Sequence, residues 1–113
     1  MNWNPLTTID QLAIIDEESI QQPVMLLKHS TRCSISSAAL GRLERNLDEG
    51  SGMKVYYLDL IAYRDVSNAI ASRYGIEHQS PQVIVLKNGK AVYHESHMGI
   101  QPDEITEFVA GLV

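Results

Sequence analysis

Val24-Met25-Leu26-Leu27-Lys28-His29-Ser30-Thr31-Arg32-Cys33-Ser34-Ile35-Ser36 runs from an apolar segment through a short polar one to a thiol. Pro23 stops any preceding helix and opens a strand over Val24 to Lys28. Successive apolar positions predict that this strand is buried on both faces. A helix is expected from Cys33 to about Asn46, with Ile35, Ala38, Ala39, Leu43 and Leu47 as its inward stripe. Cys33 is the only cysteine in the chain, and Ser36 stands where a second would complete a Cys-x-x-Cys pair. The thiol therefore has no partner of its own and must react with sulfur from elsewhere.

Upstream, a helix is expected from Ile9 to Glu18, with Thr8 as N-cap and Ile9, Leu12, Ala13 and Ile20 on its apolar side. Downstream, Asp48-Glu49-Gly50-Ser51-Gly52 reads as a turn and Lys54 to Asp59 as a strand. A crossover helix follows over Asp65 to Tyr74, stopped by Gly75. Gln82 to Lys87 is the next strand, Asn88-Gly89 a two-residue hairpin, and Ala91 to His97 the returning strand. Pro102 followed by Asp103 and Glu104 opens a last helix through Leu112. The order α-β-α-β-α-β-β-α, with right-handed crossovers and a final antiparallel hairpin, predicts one α/β domain over residues 1–113. The expected architecture is a thioredoxin-like fold: a central mixed four-stranded sheet flanked by helices, with an extra N-terminal helix.

Composition narrows the function. A chain of 113 residues with 44% hydrophobic content holds a single core. A net charge of −5, with Lys and Arg scattered, argues against nucleic acid or an anionic membrane as partner. Met1-Asn2-Trp3-Asn4-Pro5 shows no secretory signal, and no run approaches the ~18 apolar residues of a membrane span. A lone cysteine fits a reducing compartment, so the expected location is cytoplasmic.

At a helix N-terminus, Cys33 meets unpaired N–H groups and the positive end of the helix dipole, both of which favour thiolate. Arg32 and His29 are candidate cations for substrate beside it, and Ser36, one turn on, is placed to donate a hydrogen bond to the sulfur. Ser80-Pro81-Gln82 is the second candidate piece. In thioredoxin-like folds the proline opening this strand is cis and lies against the active cysteine, freeing the backbone groups of the preceding residue, here Ser80, for an incoming peptide. His94-x-x-His97 does not read as a metal site, because residues three apart on a strand point to opposite faces. Met98-Gly99-Ile100 carries one glycine where cluster-binding monothiol glutaredoxins carry a pair, so no metal or bound cofactor is expected.

His29-Ser30-x-x-Cys33-x-Ile35-Ser36 after the first core strand, with Ser80-Pro81-Gln82 before the next-to-last, resembles the monothiol bacilliredoxins, also described as YtxJ-like general stress proteins. The resemblance covers essentially the whole chain. It implies an oxidoreductase that removes bacillithiol, as co-substrate, from mixed disulfides on client proteins. Cys33 would attack, Ser36 would be the non-resolving residue, and Ser80 with Pro81 would bind peptide. Free bacillithiol or a partner reductase would restore Cys33. Ser34 stands where the family often has proline. Leu27 and Arg32 stand where dithiol thioredoxins favour a buried acid and a tryptophan. The rival reading is a non-enzymatic thioredoxin-like stress module that binds a partner through the Cys33–Pro81 face.

Overall fold

The computed structural model describes residues 2–47 and 52–112. Its elements are β1 (Asn4–Pro5), α1 (Gln11–Gln21), β2 (Val24–His29), α2 (Ser34–Asn46), β3 (Lys54–Asp59), α3 (Arg64–Tyr74), β4 (Gln82–Lys87), β5 (Lys90–Ser96) and α4 (Pro102–Ala110), with a 3-10 turn over His97–Gly99 before α4. The sheet order is β1-β3-β2-β4-β5. β1 and β2 run parallel to β3, while β4 is antiparallel to both β2 and β5. The thioredoxin-like layout holds, with one correction: five strands, not four. The added strand is Asn4–Pro5, paired with Tyr56 and Tyr57 and extended by a Leu6 N–H to Tyr57 carbonyl bond of 2.9 Å. Two residues containing a proline show no alternation, so only the distant partner reveals this strand.

Central position explains why all of β2 is buried. Val24 and Leu26 face the cluster holding Leu12 and Ile15 of α1 and Val66 and Ile70 of α3. Met25 and Leu27 face Ala39 and Leu43 of α2 and Ile105 and Val109 of α4. Fully burying each of the valine, leucine, isoleucine and methionine side chains among these contributes roughly 1.5–3 kcal/mol.

Two helices turn differently from the expected stripes. α1 buries Leu12, Ile15 and Ser19 and leaves Ile9, Ala13 and Ile20 exposed. Its regular turns start at Gln11, whose Oε1 accepts the backbone N–H groups of Thr7 (2.8 Å) and Thr8 (3.0 Å), so the chain through Ile9 is a lead-in turn. α2 buries Ser36, Ala39 and Leu43, which leaves Ile35 and Ala38 in solvent. The expected hairpin is present, with Asn88 and Gly89 both at positive φ (54° and 74°). The turn expected at Asp48 to Gly52 lies outside the described residues except for Gly52.

Gly75 ends α3 in the left-handed region at φ 67°. Nothing lies within 4 Å of a Cβ built there, so Gly75→Ala meets only backbone strain. The expected loss is about 1–2 kcal/mol in urea unfolding, without loss of the fold.

Candidate functional site

β2 delivers the chain to the site at the C-terminal end of the sheet's central strand. Thr31 and Arg32 are exposed in the loop, and the Cys33 N–H closes it by donating to the Ser30 carbonyl at 3.2 Å. Cys33 itself is the extended N-cap of α2 (φ −113°, ψ 122°), half-buried, and its carbonyl accepts the Ser37 N–H at 3.0 Å. The first turn of α2 contains no acidic residue. Arg32, adjacent to Cys33 in the chain, is exposed.

Ser36 and His29 differ from their expected roles. The Ser36 hydroxyl accepts the Ser30 N–H at 3.0 Å and pairs with His29 Nδ1 at 2.8 Å. Among the described residues it makes no hydrogen bond to the Cys33 sulfur. With the imidazole carrying its proton on Nε2, Ser36 donates to Nδ1 while accepting from Ser30, and its hydroxyl proton is committed. His29 is 4% exposed, and its ring lies 5.4 Å from that of Tyr57. Tyr57 in turn packs edge-on against Trp3, so the N-terminal segment supports the site from behind. Burial pushes the His29 pKa below its ordinary value, against the opposing pull of Asp59. A neutral, buried imidazole braces the loop; it offers substrate no exposed cation. Strand alternation accounts for this, since His29 follows Leu27 by two and shares its inward face.

The second piece stands at the same end of the sheet. Lys28 is opposite Gln82 in the antiparallel β2–β4 register, which brings Ser80 and Pro81 alongside the end of β2. The Ser80–Pro81 bond is cis, as expected, and Pro81 is buried. The Pro81 carbonyl accepts the His97 N–H at 3.0 Å, whereas no backbone hydrogen bond among the described residues uses the Ser80 N–H or carbonyl. Arg42 of α2 holds the neighbouring turn, donating to the Ile100 carbonyl at 3.2 Å and 3.3 Å and to the His97 carbonyl at 3.3 Å. His94 and His97 join no metal cluster among the described residues.

One polar group escaped the sequence reading. Lys28 is fully buried on the α1–α3 face, and its Nζ donates to the Ser67 carbonyl at 3.1 Å and meets His78 Nδ1 at 3.2 Å. Ser67 Oγ lies 3.3 Å from the same ring nitrogen. Desolvation lowers the Lys28 pKa to about 8. Burial and the nearby Lys28 and Arg64 charges likewise push His78 below its ordinary value. Gln82, beside Lys28 in the sheet, donates from Nε2 to the Glu77 carbonyl at 3.1 Å. The signal was present in the sequence: a strand buried on both faces that includes Lys28 must bury its ammonium.

Comparison with known proteins fits this geometry. A solved structure described as a candidate oxidoreductase with a thioredoxin fold is 34% identical, with a TM-score of 0.80 over 91% of this chain and 89% of that one. Thioredoxins from Fasciola hepatica (17% identity, TM-score 0.72, 96% and 97% covered) and Trypanosoma brucei brucei (17%, 0.73, 98% and 90%) share the fold. No helix among the described residues is long and apolar enough to cross a membrane. The family model for the monothiol bacilliredoxin BrxC matches residues 4–105, a span that includes β1, Cys33, Ser36, Pro81 and the 97–100 turn. With its single cysteine at the head of α2, the chain belongs to the monothiol bacilliredoxin BrxC family.

Proposed function

We propose that this chain is a monothiol thiol–disulfide oxidoreductase that removes bacillithiol from protein mixed disulfides through Cys33. The observation that carries the reading is a lone, half-exposed thiol at the N-cap of α2 with no second cysteine in the chain. The attacking species is the thiolate. Its Sγ forms a bond to the bacillithiol sulfur of the mixed disulfide, and the client–bacillithiol S–S bond breaks. The electron pair leaves on the client sulfur, which takes a proton and is thereby reduced. Cys33 is left as the mixed disulfide, so the first step transfers oxidation without net consumption of reductant.

With Ser36 in the resolving position, the adduct cannot be cleared within the chain. Free bacillithiol or a partner reductase must attack it, giving bacillithiol disulfide or an oxidised partner and restoring Cys33. Ser80, whose backbone groups have no hydrogen-bond partner among the described residues, and exposed Arg32 are the groups we assign to client and substrate contact. A mechanism that requires free thiols fits a reducing compartment such as the cytoplasm.

Intact-mass analysis after a single turnover tests the reading. Incubation with a bacillithiolated client should leave one bacillithiol adduct on this chain and a reduced client. A chain that never acquires the adduct would instead be the non-enzymatic binding module. Ser36→Ala provides a second check on the site. Removing the hydroxyl leaves the Ser30 N–H and His29 Nδ1 without their partner, so stability should fall by about 1–3 kcal/mol. Exchange should persist, because Ser36 supplies no sulfur and no hydrogen bond to sulfur.

A further inference from the structure

Lys28 is the one fully buried lysine or arginine among the described residues. An ammonium removed from water is retained at a penalty, and a well-packed apolar side chain of similar volume is often neutral or better in its place. Lys28 therefore needs an explanation other than stability, and its contacts supply one. Its Nζ reaches from β2, the strand that carries the Cys33 loop, to the Ser67 carbonyl of α3 at 3.1 Å and to His78 at 3.2 Å.

His78 lies in the connection from α3 to β4, three residues before Pro81. Besides Lys28, few bonds hold that connection: Ile76 N–H to the Ala71 carbonyl at its start, Ser67 Oγ to His78 Nδ1 at 3.3 Å, which ties it to α3 but not to the sheet, Gln82 Nε2 to the Glu77 carbonyl, and His97 N–H to the Pro81 carbonyl at its end. The Ser67 carbonyl and His78 Nδ1 are both acceptors for an ammonium, and an imidazole accepting at Nδ1 is neutral with its proton on Nε2. The Lys28–His78 bond thus ties the peptide-facing corner directly to the strand that positions the thiol.

We propose that Lys28, acting through His78, is a positioning residue that sets the Ser80–Pro81 corner for protein clients. It touches neither the reacting sulfur nor the client, and its effect is confined to substrates that use the corner. A small disulfide reaches Cys33 without peptide backbone to pair and does not depend on it. This inference rests on the thiol-exchange reading for its kinetic consequence, but the structural link can be measured without turnover.

The test uses the full chain with Lys28→Met, His78→Leu and His78→Asn. Asn Oδ1 overlies the position of His Nδ1 and keeps an acceptor for the ammonium, so His78→Asn is the rescue variant. In Lys28→Met and His78→Leu, hydrogen exchange at the Ile76 and His97 amides, whose bonds hold the two ends of the connection, should accelerate about tenfold, while α3 and β2 amides keep their relative protection. The kcat/KM for a bacillithiolated protein should fall roughly ten- to a hundredfold, with that for bacillithiol disulfide within about twofold of wild type. His78→Asn should behave as wild type in both measurements. Unchanged exchange at the Ile76 and His97 amides, or equal loss on protein and small disulfide, would overturn the proposal. If wild type exchanges with neither disulfide, the thiol-exchange reading fails by itself, and the amide measurement alone decides the Lys28 link.

Discussion

Replacing Cys33 by serine is expected to abolish release of bacillithiol from a client protein, leaving only the background rate set by free thiols in the assay. No other sulfur nucleophile exists in the chain, since its remaining sulfurs are the thioethers of four methionines. A serine hydroxyl does not ionise at neutral pH and cannot accept the disulfide's sulfur. The substitution is nearly isosteric at a half-buried N-cap, and serine is a favoured N-cap residue, so the fold should survive. An unchanged urea midpoint with lost exchange assigns the loss to chemistry. Which sulfur is attacked is equally measurable. Attack on the bacillithiol sulfur gives the small adduct, whereas attack on the client sulfur traps the client on this chain until an external thiol releases it. Bacillithiol release by Cys33→Ser at the wild-type rate would remove Cys33 from the mechanism.

The parts legible in the sequence have local causes. Asn88-Gly89 demands positive φ at both residues, Gly75 ends a helix in the left-handed region, and Pro102 occupies a helix start where its missing N–H is harmless. The apolar run of β2 followed by a polar loop fixes the thiol at the head of α2 for the same reason. What escaped depends on partners far away in the chain. β1 exists only because Tyr56 and Tyr57 pair with it. The phase of α1 differs from the expected stripe because Ile9 and Ile20 are as apolar as the residues it buries, and only packing chooses Leu12 and Ile15.

At the site, residue identities were legible and their bonds were not. Ser36 could be recognised as the residue in place of a resolving cysteine, but its hydroxyl lies under the loop, between Ser30 and His29. His29 looked like a free cation beside the thiol, yet strand alternation places it inside with Leu27. The cis geometry at Ser80–Pro81 was the expectation that depended least on distant contacts, and the structure contains it.

Lys28→Met should make the protein more stable at neutral pH, and the gain should disappear as the solution is made alkaline. Burial lowers the Lys28 pKa from 10.5 to about 8. Between those two values the unfolded chain holds a proton that the folded chain has released, so wild-type stability rises with pH through that window. Below about pH 8 both states are protonated, and the folded state carries the whole penalty of the buried ammonium. A displacement of this size corresponds to about 3 kcal/mol at most. Methionine fills a similar volume without the charge. Its substitution strands no acceptor, because Ser67 lies within α3 and Ser67 Oγ remains 3.3 Å from His78 Nδ1. Urea unfolding at pH 7 should therefore favour the methionine variant, and the difference from wild type should shrink steadily towards pH 10.5. Removing the ammonium also removes one of the charges that hold the His78 pKa down, so His78 should take up its proton at higher pH in the variant, a shift visible by NMR titration. A difference that is the same at pH 7 and pH 10, or a variant less stable than wild type at pH 7, would show that Lys28 is not held as a desolvated cation. Stability gained together with a slower reaction on protein clients would mean that the buried charge is kept for where it holds His78.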